Sequence, residues 1–175
     1  MRGNMEPIRI LFICHGNICR STMAEYVMRD LVEKCGMTKN FQIDSAATSQ
    51  EELGNGVHPG TRKKLAQEHI YCGNHRARQM SALDYERYDY IIGMDEENLA
   101  GMYRLLLGEH GFGWSWDVVS PALAAKADPQ HKVSLLLDWT DSPRDIADPW
   151  YTGNFDATFE DVSAGCQALL AQLMD

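Results

Sequence analysis

The segment Ile8 to Ile13 (IRILFI) is a short, mostly apolar run with a β-branched bias, the pattern of a buried strand. Beyond it, Met23, Tyr26, Val27, Leu31 and Val32 recur at helical spacing. This predicts a helix over Met23 to Cys35, with Ser21 or Thr22 as N-cap and Gly36 as its stop. A second strand is expected at Phe41 to Ser45, and a helix near Pro59, where proline suits the first turn. Tyr88 to Met94 reads as a third strand and Asp95 to Leu107 as a helix ended by Gly108. The stretch from Gly111 to Gln130 reads as irregular, and Val133 to Leu137 as a fourth strand. A last helix is expected from Phe155 to Met174, with Phe155, Phe159, Val162, Cys166, Leu169, Leu170 and Leu173 on one stripe. Strands alternating with helices give an α/β fold: a parallel sheet covered on both faces. Ligands in such sheets bind at the carboxyl ends of strands, beside a helix N-terminus.

The 175 residues suit a single domain, 1–175, with residues 1–7 expected to be a flexible extension. A formal charge of -9 argues against nucleic-acid coating and against a polybasic membrane patch. No apolar run is long enough for a membrane span, and the N-terminus lacks the pattern of a signal peptide. Any anion must therefore be held in a local pocket that overrides the global field. Five scattered cysteines do not read as a disulfide framework, so a reducing cytoplasm is expected, with at least one thiol kept for chemistry. The six histidines lack metal-ligand spacing, and neither a metal site nor a cofactor is expected.

The chemistry gathers in Cys14-His15-Gly16-Asn17-Ile18-Cys19-Arg20-Ser21, which leaves the first strand and enters the first helix. Gly16 and Asn17 mark backbone needing unusual dihedrals. A loop wrapped over a helix N-terminus turns several N–H groups into one concavity, which binds a tetrahedral oxyanion. The same field stabilises a thiolate at Cys14. Arg20 can grip two phosphate oxygens with its planar fork. A nucleophilic sulfur then lies below a phosphorus held for in-line attack. The leaving oxygen needs a proton donor. Asp148, in an Asp-Pro pair before the last helix, is the first choice, and Asp128, in the other pair, is next. Trp150 and Tyr151 read as rings flanking an aromatic substrate and sheltering the acid, with core packing as the plainer alternative.

The segment ICHGNICRSTMAE resembles the signature of the low-molecular-weight protein tyrosine phosphatases. Asp44 to Ser49, His75 to Gln79, Tyr90 to Leu99 and Asp148-Pro149-Trp150-Tyr151 agree with that family in the same order. The resemblance implies a three-layer sandwich around a four-stranded parallel sheet, with the phosphate-binding loop after strand 1. It implies hydrolysis of phosphotyrosine through a phosphocysteine, with Cys14 as nucleophile, Arg20 on the phosphoryl oxygens and Asp148 as acid and then base. Asn17, Ser45 and His75 match the network supporting the loop, and Ser21 matches the hydroxyl bonded to the sulfur. His15, Gly16, Ile18 and Cys19 complete the phosphate-binding loop. The implied partner is a phosphotyrosine protein or a small aryl phosphate, acted on by a monomer or weak homodimer.

There are departures from the family pattern. Thr22 replaces a usual proline. Glu51 falls near an often aromatic position of the cleft wall and disfavours acidic peptides. The region from Met102 to Gln130 is longer than usual and is expected to form a surface lid or partner site with Trp114 and Trp116. Ile18 carries an apolar side chain where related arginine phosphatases carry Thr, which favours phosphotyrosine over phosphoarginine. A thioredoxin-coupled arsenate reductase and a binding module without turnover are competing readings; Cys72 lacks a near companion for the first, and the second would lack the nucleophile or the acid, both of which are present here. Cys19 reads either as packing or as a redox partner of Cys14. Cys35, Cys72 and Cys166 read as structural, Trp139 as packing, and Asp141 and Asp145 as solvated loop charges.

Overall fold

The computed structural model describes residues 5–108 and 120–175. Strand β1 (Ile8–Cys14) is followed by α1 (Arg20–Lys34), β2 (Phe41–Ala47), α2 (Pro59–Gln67), α3 (Asp84–Arg87) and β3 (Tyr90–Gly93). Then come α4 (Glu96–Leu106), α5 (Pro121–Ala127), β4 (Val133–Leu135), α6 (Pro149–Thr152) and α7 (Phe155–Met174). The four strands form one parallel sheet in the order β2-β1-β3-β4. The central strand β1 pairs with β2 from Ile8–Phe41 to Cys14–Ala47, and with β3 from Ile10–Tyr90 to Phe12–Ile92.

Alternation along β1 divides the core in two. Ile10, Phe12 and Cys14 face a cluster built on α1 and α7, including Met23, Met28, Val162 and Leu169. Leu11 and Ile13 face the other layer, with Met80, Tyr85, Ile91, Met102 and Leu105. Burial on both faces explains why β1 carries a continuous apolar run. Its last residue, Cys14, therefore emerges at the carboxyl edge of the sheet's interior, where β1 hands over to α1.

The stops of α1 and α4 fall at Gly36 and Gly108, both in the left-handed region (φ 68° and 74°). Several boundaries differ from expectation. β4 ends at Leu135, because the Asp138 carboxylate accepts the Leu135 N–H (3.0 Å) and closes a tight turn over Leu136–Trp139. β3 starts at Tyr90, since the Tyr88 N–H donates to the carbonyl of Asp84, the first residue of α3, and closes that helix. The Asp84 carboxylate accepts the Ser81 N–H (2.9 Å) and pairs with both Arg78 terminal nitrogens (3.0 and 3.1 Å). Within the stretch expected to be irregular, Ser120 caps α5 by accepting the Leu123 N–H (3.1 Å), Pro121 opens it, and alanines sustain it. Met102 is completely buried in α4, so this start of the expected lid belongs to the core. Trp114 and Trp116 lie outside the described residues.

Helix α7 rests on the turn after β4 through Gly165. A Cβ there would stand 2.5 Å from Leu136 Cγ, and Leu136 is fully buried with nowhere to retreat. Gly165→Ala is expected to destabilise the fold by about 1–3 kcal/mol despite its better helix propensity. A urea melt tests this; unchanged or raised stability would contradict the packing described.

Candidate active site

Helix α1 begins at Arg20 with Cys19 as N-cap, and no side chain caps its first turn. Neither Ser21 nor Thr22 takes the expected N-cap role. The Thr22 hydroxyl donates to the Cys19 carbonyl (2.9 Å), and Ser21 Oγ lies 3.1 Å from Cys14 Sγ. The first-turn amides are thus left for an external anion, at the positive end of the helix dipole.

The loop between β1 and α1 is shaped by Asn17, a fully buried residue at φ 60°. The unusual dihedral falls there and not on Gly16. Gly16 answers to space: a Cβ would come within 3.2 Å of the Glu52 side chain. Asn17 N–H donates to Cys14 Sγ (3.3 Å). Its side-chain amide donates to Ser21 Oγ and to Ser45 Oγ, both at 2.9 Å, while Oδ1 accepts the Arg78 N–H (3.2 Å). His75 Nε2 meets the Asn17 carbonyl at 2.8 Å, so the ring donates there. Ser45 in turn donates to Glu25 Oε1 (2.6 Å).

The direction of this chain is fixed by its ends. Glu25, when ionised, can only accept, so Ser45 spends its proton there and must accept from Asn17. Asn17 spends its amide protons on Ser45 and Ser21, which leaves the Ser21 hydroxyl proton to turn toward Sγ. Arg29 pairs with Glu25 at 2.9 Å. Burial pushes the Glu25 carboxyl above its ordinary range, opposed by the Ser45 hydrogen bond and by Arg29. Glu25 was not a sequence candidate, and its place in α1 gives no local signal of this role.

Arg20 is almost fully buried and stands between two carboxylates. Nη1 donates to Asp95 Oδ2 (2.5 Å) and to the Ile146 carbonyl (2.9 Å); Nη2 reaches Asp148 Oδ2 (3.2 Å). Burial opposes the guanidinium charge, yet Cys14, Asp95 and Asp148 together hold its pKa above the ordinary value. Asp95 also caps α4 by accepting the Asn98 N–H through Oδ1 (2.8 Å). It too was missed as a site residue, being 75 positions from its partner.

Asp148 caps α6 through the Trp150 N–H (3.0 Å) while its other oxygen faces Arg20. The alternative acid, Asp128, is buried elsewhere: it accepts from Tyr85 Oη (2.7 Å), Lys132 N (2.7 Å) and Val133 N (3.0 Å), which orders the entry to β4. Trp150 and Tyr151 are not core, being 58% and 84% exposed. Asp145 accepts the Glu96 N–H (3.2 Å) from the surface; partial burial and the nearby Asp95 charge push its carboxyl up. Trp139 packs edge-on against Tyr90 and donates to Ser134, as a packing residue would.

At the rim, His15 meets Glu51 (3.0 Å) and lies 3.9 Å from Glu97, so Glu51 is tied to the loop instead of walling the cleft alone. Ile18 and Cys19 form a small apolar cluster with Ala77, against which Phe155 packs. All five cysteines are free. Burial, then the neighbouring Cys14, pushes the Cys19 thiol up to about 12, and burial likewise raises Cys72 and Cys166. Among the described residues no cluster of acidic, His or Cys side chains could hold a metal, and no helix is long and apolar enough to cross a membrane.

Comparison with known proteins follows the same lines. The family model for low molecular weight phosphotyrosine protein phosphatase matches residues 9–110. The chain is 36% identical over 168 residues to the low molecular weight protein-tyrosine-phosphatase YfkJ of Bacillus subtilis, covering 95% of this chain and 96% of that protein. The crystal structure of YfkJ aligns with a TM-score of 0.83 at 34% identity over 98% of each chain. A drosophila arginine phosphatase aligns with a TM-score of 0.78 at 25% identity, covering 96% of this chain and 99% of that one. With sequence and fold agreeing over nearly the whole length, the chain belongs to the low molecular weight phosphotyrosine protein phosphatase family.

Proposed function

We propose that this protein hydrolyses phosphotyrosine monoesters through a covalent intermediate on Cys14. The observation that carries the reading is the meeting of three groups at one uncapped helix start: Cys14 Sγ, the buried Arg20 guanidinium, and the Asp148 carboxylate 3.2 Å from that guanidinium. A phosphate dianion seated on the first-turn amides and the free edge of Arg20 places its phosphorus above Sγ. The sulfur attacks in line, forming an S–P bond as the P–O bond to the leaving group breaks. Asp148, protonated, delivers its proton to the departing phenolate. The resulting carboxylate then takes a proton from water, which attacks the phosphocysteine and releases phosphate. Ser21 donates to the sulfur both before attack and as the sulfur leaves. Arg20 and the amides hold the charge spread over the equatorial oxygens.

Asp95 keeps one side of the Arg20 fork fixed, so a ligand does not have to order that side chain. Gly16 admits close backbone approach, and His15 tethers Glu51 at the rim. Ile18, apolar and next to the loop's backbone, favours a phenyl ring over a guanidinium leaving group. The similarity to an arginine phosphatase makes phosphoarginine the alternative substrate to test.

Phosphate release from matched phosphotyrosine, phosphoserine and phosphoarginine peptides tests the reading. Turnover is expected with phosphotyrosine, none with Cys14→Ser, and a move toward phosphoarginine with Ile18→Thr; phosphoarginine preference in the unaltered enzyme would overturn the substrate assignment. Asp148→Ala is expected to lower kcat/KM, which reports the attack step, on a phosphotyrosine peptide by about a hundred- to ten-thousandfold. The loss should be smaller with p-nitrophenyl phosphate, whose leaving group needs no proton. Equal losses on both substrates would place the acid elsewhere.

A further inference from the structure

His58 enters none of the steps above, yet it touches both halves of the site. Its backbone N–H donates to the carbonyl of Ile18 in the phosphate-binding loop (2.9 Å). Its Nδ1 accepts the Gly60 N–H (3.0 Å) and caps α2, which puts the ring proton on Nε2. One face of the ring stacks on Phe155 (centroids 5.2 Å apart, 21° between planes). Toward Trp150 the contact is edge-on (5.7 Å, 79°). Phe155 itself packs against the cluster of Ile18, Cys19 and Ala77. The approach is close enough that a Cβ on Gly60 would collide with the Phe155 ring.

These contacts make a continuous column: Ile18, Phe155, His58, Trp150. It crosses from the loop that holds phosphate to the turn that carries Asp148. Trp150 is 58% exposed, so burial in the core does not choose the orientation of its indole. Its backbone N–H is bonded to Asp148 Oδ1, which makes ring and acid one unit. An edge-to-face pair favours one ring orientation by roughly two- to tenfold.

We propose that His58 is a positioning residue: by anchoring to Ile18 and pressing on Trp150, it sets the indole at a fixed height above the phosphate-binding loop and so tunes binding of aryl phosphoesters. The proposal rests on the phosphatase reading. A phosphoester with a ring meets a wall already in place, whereas a small phosphate senses only the loop.

Two variants separate this from a structural role. His58→Asn keeps an acceptor for the α2 cap but removes the ring; His58→Phe keeps the ring and removes the acceptor. With a phosphotyrosine peptide, His58→Asn is expected to raise KM by roughly two- to tenfold. Its kcat should change less, and inhibition by inorganic phosphate should stay as in the unaltered enzyme. His58→Phe should restore KM, even if it melts earlier. Trp150→Ala should raise KM similarly, and adding His58→Asn to it should add nothing further. Unaltered KM in His58→Asn, equal losses in both His58 variants, or a parallel weakening of phosphate inhibition would each overturn the proposal. An unaltered enzyme without turnover would instead remove the phosphatase reading beneath it.

Discussion

The site depends on the hydrogen-bonding direction imposed beneath the phosphate-binding loop. Asn17 is held at φ 60°, a conformation that costs a non-glycine residue about 1–3 kcal/mol. What offsets this is complete use of its polar atoms: two donations, one acceptance at Oδ1, one at the carbonyl, and an N–H on the sulfur. Every partner is buried or half-buried, so losing one leaves a polar group unpaired at about 1–3 kcal/mol. Glu25, able only to accept when ionised, orients the chain from one end, and Cys14 receives the proton left over at the other. The loop thus keeps its strained shape, and the sulfur keeps two donors.

Electrostatics at the site are local and opposed to the whole. A chain of net charge -9 repels anions at long range. Within the pocket the balance is set by one buried guanidinium, the dipole of a 15-residue helix and the amides of its open first turn. Asp95 and Asp148 neutralise that guanidinium in the free chain, which makes its burial tolerable. They are not equivalent. Asp95 is locked at the start of α4, while Asp148 sits on a four-residue helix beside two exposed aromatic rings, where a substrate can engage it.

Much of this could be read from the chain. The β1 run and the stripe of α7 are local periodic patterns and the residues from Cys14 to Ser21 a local motif, and the structure has each at its predicted place. Asp148 stands out by its place before the last helix, and its carboxylate does face Arg20. What stayed hidden depends on distant partners. Glu25 and Asp95 reveal themselves only once β2 and α4 are packed, 20 and 75 positions from Ser45 and Arg20 respectively. Ser21 and Thr22 looked like caps because their residue types favour it, but tertiary bonding to Cys14 and to the Cys19 carbonyl took their hydroxyls. Asp128 shared its dipeptide with Asp148 and differed only in environment. The short helices α3 and α5 carry too few residues for a periodic signal; side-chain bonds at Asp84 and Ser120 define them.

The most direct measurement is rapid-quench mass spectrometry of the Asp148→Ala enzyme during turnover of p-nitrophenyl phosphate, where attack remains easy and loss of the acid-base group slows release. A phosphoryl group on the peptide containing Cys14, formed at the rate of the nitrophenolate burst, is the expected result. A burst with the label on another residue, or no burst while turnover continues without any adduct, would contradict attack by the sulfur at the open end of α1.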